Sequence, residues 1–319
     1  MLILTPNPCL DVTLWVSRLS LGSVHRASKN ETTAGGKGIN VARASASLGT
    51  PAHLILMLPT VQADLYKQRL AAEKIKVSYL DIAGEVRKAI IINQNEGTEI
   101  TVVNGAGPDI TVSDWDNYCD LVIKNTSKDE LVLLMGSMPS NSPQDAIEKL
   151  SMKIHAVGAQ LLVDTAPASL KSRKSEILDF ITPNLEEAEA LISGDDGSLF
   201  VVNNENIEER AMAVAQKLQG VVAKQVFITV GEHGCAFNNG SEKWFLPAFK
   251  LNPKLYKSAV GAGDSFVAGL ANYLNQNSAN IDWKECAKFA MATAAASCES
   301  YLAGGVDKER ALLILAGKS

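Results

Sequence analysis

Residues 131–164 read LVLLMGSMPSNSPQDAIEKLSMKIHAVGAQLLVD. They hold an apolar run at Leu131-Met135, a segment of helical period over Pro143-Val157, and a second apolar run at Gln160-Asp164. Apolar runs this short suit strands buried on both faces, and a helix between two of them is a crossover that lays the strands parallel. The alternation continues in both directions. Strand-length runs recur at Leu2-Thr5, His53-Leu58, Phe180-Thr182 and Gln225-Val230, with helical patterns at about Ile39-Leu48, Ala63-Glu73, Val112-Lys124, Leu185-Ile192 and Glu205-Leu218. The pattern predicts an α/β fold with a mostly parallel central sheet covered on both faces, and such sheets take their ligands at the carboxyl ends of the strands.

Two stretches interrupt the alternation. Residues Val12-Thr32 carry no helical pattern, and Arg87-Asn104 reads as a hairpin, Lys88-Ile92 and Glu99-Val103 flanking the turn-like Asn95-Glu96-Gly97. Short strands outside a parallel sheet form either a plain surface hairpin or a flap over the sheet's edge. With 319 residues and no internal repeat or linker, the chain is expected to be one large α/β domain over 1–319, the appendage coming from about 12–32 and 87–104. Asp195-Gly197 reads as a loop rather than a boundary.

Composition narrows the function. The chain is 46% hydrophobic and 20% charged, and no apolar run reaches the ~18 residues of a membrane-spanning helix. Neither a basic region nor a small-residue cleavage site accompanies Met1-Pro8, so no secretory signal is expected and the expected location is cytoplasmic. Thirty basic against thirty-five acidic residues give a net charge of −5 without any basic run, which removes the electrostatic footprint of nucleic-acid binding. Cys9, Cys119, Cys235, Cys286 and Cys298 are odd in number and show no C-x-x-C spacing, pointing to core residues rather than disulfides or zinc ligands. None of the four scattered histidines is assigned a catalytic role.

Chemistry concentrates in two glycine-rich stretches. Val260-Gly261-Ala262-Gly263-Asp264-Ser265-Phe266 opens an apolar helical stretch through Leu274. Small residues at a helix start leave N–H groups bare, and with the positive end of the helix dipole they make a site for phosphate or a developing anion. A carboxylate at Asp264 can then take the proton of an attacking hydroxyl, although Asp is also favoured in the first turn of any helix. Ala34-Gly35-Gly36-Lys37-Gly38-Ile39-Asn40 fits neither a Walker A loop nor a dinucleotide fingerprint. Glycines that let a ligand approach the backbone, with Lys37 and Asn40 adding charge and amide groups, suit a polyhydroxylated or phosphorylated ligand; a turn into a helix with an exposed lysine is the alternative. Asn7 and Asp11, Gly136-Ser137, and Asn184 with Glu187 follow strand ends, where each is either ligand or cap chemistry.

Together these residues resemble the ribokinase-like sugar kinases, also called the phosphofructokinase B family, over nearly the whole chain from Leu2 to about Gly305. Within that family, Thr5-Pro6-Asn7-Pro8 with Asp11, and Gly35 through Ala42, look most like 1-phosphofructokinases and tagatose-6-phosphate kinases. The resemblance implies a ribokinase-like three-layer sandwich with a small β-sheet lid, and ATP with Mg2+ as donor and cofactor. It implies transfer to a hydroxyl of a ketohexose phosphate, fructose 1-phosphate first and tagatose 6-phosphate second. By the same resemblance, Asp264 is the general base and Gly261, Ala262 and Gly263 form the anion hole. Asp11, Gly35, Gly36, Lys37, Asn40 and Ser137 contact the sugar, and Arg26 and Arg87 hold its existing phosphate. Asn184, Thr229, Gly231 and Gly234 lie on the nucleotide side, and Glu187 helps place magnesium. Exposed lid faces favour a homodimer. Where the family has a Gly-x-x-Gly-x-Asp segment, this chain has Leu58-Pro59-Thr60-Val61-Gln62-Ala63-Asp64, without glycine, and the family's Lys-Pro-Asn is here Thr182-Pro183-Asn184. Two alternatives stay open: a kinase of an unphosphorylated sugar or nucleoside, and a catalytically silent sugar-phosphate sensor, against which the complete Gly261-Asp264 group argues.

Overall fold

The computed structural model describes residues 1–94, 100–170, 177–194, 205–277 and 280–318. The Asn95-Gly97 turn, Glu99 and the Asp195-Gly197 loop lie outside the described residues. Nine strands make the large sheet: β1 (Leu2–Thr5), β4 (His53–Val61), β5 (Lys76–Glu85), β8 (Leu131–Met135), β9 (Gln160–Asp164), β10 (Leu178–Ile181), β11 (Ala223–Thr229), β12 (Gly234–Asn238) and β13 (Lys243–Pro247). Their order is β13-β12-β11-β10-β9-β8-β1-β4-β5. Among the described residues, pairings are parallel from β5 through to β11, and only the β11-β12 and β12-β13 pairings are antiparallel.

Alternate residues of each strand face opposite layers, which is the period-2 geometry of a pleated strand. Ile3, Leu54, Leu56, Leu133, Leu162 and Phe227 join one core, covered by α1 (Lys37–Ser47), α2 (Ala63–Ala71), α8 (Ala262–Gln276), α9 (Trp283–Ser297) and α10 (Lys308–Leu315). Leu4, Ile55, Leu134, Val163 and Ile228 join the other, under α3 (Val112–Lys124), α4 (Ala146–Val157), the short α5 (Pro167–Leu170), α6 (Leu185–Ser193) and α7 (Ile207–Leu218). The three layers expected from the alternation are therefore present. All five cysteines are buried and free.

A second, four-stranded sheet has the order β3-β2-β6-β7, built from β2 (Cys9–Val16), β3 (Lys29–Gly35), β6 (Arg87–Gln94) and β7 (Ile100–Asn104). β2 pairs antiparallel with β3 and parallel with β6, and β6 pairs antiparallel with β7. The two interrupting stretches thus meet in one sheet, three residues wider at each end of the first stretch than its sequence bounds. Some bounds shift: α4 begins at Ala146 rather than Pro143, and β10 runs Leu178–Ile181 rather than Phe180-Thr182. Pro143 and Asp145 instead form the turn that feeds α4, their carbonyls accepting from Ala146 and Lys149 N–H groups.

Candidate active site

The carboxyl ends of β1, β8, β9, β10 and β11 face the N-termini of α1, α6 and α8, and nearly all the residues singled out above lie there. Gly261 adopts φ 81°, a left-handed conformation that glycine takes at no steric cost, and caps α8 without any side-chain acceptor. Ala262 N–H turns back to the Ala259 carbonyl at 3.1 Å, so of the expected anion-hole amides Gly263 N–H, with Asp264 N–H beside it, is the one left without a partner among the described residues and lines this turn. Asp264, in the same first turn, is 7% exposed. Its Oδ2 accepts from Asn40 Nδ2 at 2.8 Å, and among the described residues Oδ1 takes no hydrogen bond. Burial pushes its carboxyl up to about 6; Lys37 and the Asn40 bond pull the other way, and Asp164 and Asp11 add to the rise.

Lys37 opens α1 directly behind Gly35-Gly36. Its Nζ lies 2.6 Å from Asp164 Oδ1 and 4.0 Å from Glu187 Oε1. Desolvation opposes the charge, but Asp164, Glu187 and Asp264 outweigh it and hold the ammonium well above its ordinary range. The side chain as a whole keeps 38% of its surface exposed, while Asp164, against which its ammonium lies, is 6% exposed. Asn184 and Glu187 form a reciprocal capping box at the start of α6, Asn184 Oδ1 accepting from Glu187 N and Glu187 Oε2 from Asn184 N. Burial raises the Glu187 carboxyl despite Lys37, and the nearby Asp164 charge adds to that rise.

Asp11, in β2, sits against the Gly35 backbone: a Cβ there would lie 2.2 Å from the Asp11 carboxylate. Burial raises Asp11, offset by the thiol of Cys9 donating to Oδ1 at 3.1 Å and by Arg87 and Arg43. Arg87 opens β6 and donates from Nε to the Asn7 carbonyl at 3.1 Å. Among the described residues its two terminal nitrogens have no partner. Asn7 Nδ2 donates to Ser137 Oγ at 3.0 Å and to the Met138 carbonyl at 3.2 Å, while its buried Oδ1 has no partner among the described residues. Thr229 ends β11 beside Asn184, and Gly231 and Gly234 bracket the 3-10 turn between β11 and β12.

One residue stays apart. Arg26 is exposed in the segment joining β2 to β3, and it makes no hydrogen bond or ion pair among the described residues. Three residues join the site that the sequence reading passed over: Asp164, Cys9 and Arg43. Asp164 closes an apolar strand, so the positional rule that selects Ser137 and Asn184 also selects it. Arg43 stands one helical turn beyond Asn40, where i and i+3 side chains meet. Cys9 carries no comparable signal.

The family model for "pfkB family carbohydrate kinase" matches residues 7–309. A 1-phosphofructokinase of Xanthomonas campestris pv. campestris is 30% identical over 304 residues, covering 93% of this chain and 90% of that protein. A tagatose-6-phosphate kinase of Staphylococcus epidermidis is 27% identical over 280 residues, covering 86% and 84%. The crystal structure of phosphofructokinase-2 from Escherichia coli in complex with potassium superposes with a TM-score of 0.84 over 99% of this chain and 98% of that one. At 20% identity that likeness speaks to the fold alone.

Proposed function

This chain belongs to the pfkB family of carbohydrate kinases, and from that premise we propose that it transfers the γ-phosphoryl group of ATP to a hydroxyl of a ketohexose phosphate. Fructose 1-phosphate is the first candidate and tagatose 6-phosphate the second, in keeping with the names of the two curated relatives. The observation that carries the reading is Asp264: a buried carboxylate raised to about 6, with one oxygen that takes no hydrogen bond among the described residues, beside the unpartnered Gly263 N–H. As the sugar hydroxyl attacks phosphorus, its proton passes to Asp264. The bond from phosphorus to the bridging oxygen of ADP breaks, and the Gly263 amide takes up charge on the transferred group.

Around that step the other residues bind and orient. Asp11, Asn40 and the Gly35-Gly36 backbone receive the sugar's hydroxyls, with Lys37 and Ser137 at the edge of the same space. The free nitrogens of Arg87 suit the substrate's existing phosphate, a contact that is charge-assisted and often bidentate. Asn184, Thr229, Gly231 and Gly234 bound the nucleotide side. Asp164 and Glu187, two carboxylates that already share the Lys37 cation, fit a hard ion such as Mg2+, which takes one or two carboxylates and completes its shell with water and phosphate oxygens. When bound, such an ion supplies charge neutralisation at the phosphates. The four-stranded sheet, which contributes Asp11 and Arg87, serves as the lid.

An ADP-release assay across sugars and sugar phosphates tests the reading. The expected result is the highest kcat/KM for fructose 1-phosphate or tagatose 6-phosphate. A best substrate without a phosphate would favour the alternative to which the isolated Arg26 lends support, and no turnover with any sugar would leave the sensor.

A further inference from the structure

Behind Asn40, away from the turn that holds Asp264, lies a buried cation that the reaction itself does not use. Arg43 is 8% exposed, yet its guanidinium is engaged on every side. Nε and NH2 grip the Glu73 carboxylate at 3.0 and 2.7 Å, and NH1 donates to Asn40 Oδ1 at 3.1 Å and to the Ala303 carbonyl. An amide has two orientations related by a half-turn, and in most places solvent accepts either. Here the choice is closed. Arginine offers only donors, so the oxygen of Asn40 must face Arg43, and the ionised carboxylate of Asp264 offers only acceptors, so the NH2 must face Asp264. We propose that Arg43 is a positioning residue for phosphoryl transfer: by occupying Asn40 Oδ1 it aims the Asn40 amide at Asp264 Oδ2, which leaves Oδ1 as the oxygen that receives the proton.

The same guanidinium reaches the backbone on the far side of the site. The Ala303 carbonyl belongs to the segment against which Gly261 packs, since a Cβ on Gly261 would lie 2.9 Å from the Ala303 side chain. Gly304, in turn, lies against the Asn40 carbonyl, where a Cβ would be 2.3 Å away. One side chain therefore ties three parts together: the amide on α1, the Ala303 segment packed on the turn that opens α8, and Glu73, which follows α2. Lysine cannot replace it, because a single ammonium does not span a bidentate carboxylate and two further acceptors in one plane.

The inference rests on Asp264 acting as the base, and the test separates the two. Arg43→Lys is made alone and in an Asn40→Ala background, and kcat and both KM values are measured by varying ATP or sugar phosphate with the other saturating. In the parent background, kcat should fall by about tenfold, the scale of one misdirected hydrogen bond to a charged group, with both KM values within about twofold. Once Asn40 is alanine there is no amide to aim, so the further loss should shrink to less than about twofold. An equal loss in both backgrounds, or none in the parent, overturns the proposal: Arg43 is then only a structural clamp, whose effect on active protein does not depend on Asn40. Should Arg43→Lys fail to fold, Glu73→Gln takes its place under the same criteria, because it loosens the guanidinium while keeping the local shape. Asp264→Asn measured by itself reports on the base, and retained turnover there marks failure of that reading rather than of the Arg43 coupling.

Discussion

Asp264 has one oxygen engaged and the other free, and its neighbours set the price of ionising it. Because burial lifts its carboxyl to about 6, the group is a carboxylate above that pH and a neutral acid below it. A base must be ionised to accept a proton, so kcat should decline as pH falls through about 6; a profile flat down to about pH 5 would remove Asp264 from that role. Asp264→Asn preserves size and the Asn40 contact but cannot take a proton near neutrality. The expected loss is ~10²–10⁴-fold in kcat with ATP and sugar still binding, whereas a residue serving only the helix start would tolerate the change within about threefold. Arg87→Ala should act differently, raising the KM for a sugar phosphate by about tenfold to a hundredfold while the ATP KM holds, as expected for one lost charge-assisted contact. An unchanged sugar KM would sink that assignment. These residues were legible because each stands in a short, locally recognisable pattern. Arg43 was not, since its partners Glu73 and Ala303 lie 30 and 260 positions away in the chain.

At the level of elements, the site depends on how closely α1 approaches β1. A Cβ on Gly38 would come within 1.9 Å of Thr5 Oγ1 and 3.0 Å of an Ile3 methyl, so the helix reaches its place only because Gly38 has no side chain. Helix propensity alone would favour Gly38→Ala by roughly 0.8–1 kcal/mol, but forcing extra volume into a packed contact costs typically ~1–3 kcal/mol. Packing should win, and denaturant unfolding should show net destabilisation. Thr5→Ala in the same chain should recover part of it, because the clashing oxygen is buried without a hydrogen-bond partner; no recovery would mean that the helix start is strained elsewhere. The strands β12 and β13 and the helix α9 escaped the sequence reading for physical reasons. β12 and β13 are short and antiparallel at the sheet's end, outside the helix-strand alternation. Past the charged residues Lys284, Glu285 and Lys288 of its first turns, α9 has small residues on all sides, Ala290, Ala292, Ala295 and Ala296 among them, and so carries only a short polar face.

For the whole molecule, the four-stranded sheet leaves β3 and β7 as edges, and Val102 and Val103 on β7 are 45% and 56% exposed. An open edge with apolar side chains is a surface for pairing, and the expected outcome is a homodimer joined through the small sheets. Sedimentation should give a dimer that Val103→Lys weakens; a parent that stays monomeric at micromolar concentration, or a dimer indifferent to that change, would move the interface elsewhere. The α/β alternation, the parallel core strands, the two interrupting segments and the glycine-rich helix start were determined by the sequence alone, because hydrophobic period and backbone freedom are local properties of neighbouring residues. Only the tertiary structure decided that those two segments share one sheet, that Lys37 bridges Asp164 and Glu187, and that Asn40 links Arg43 to Asp264. Those contacts join strands and helices far apart in the chain, and the interactions that hold them, ion pairing and hydrogen bonding across a buried cleft, leave no periodic trace in the order of residues.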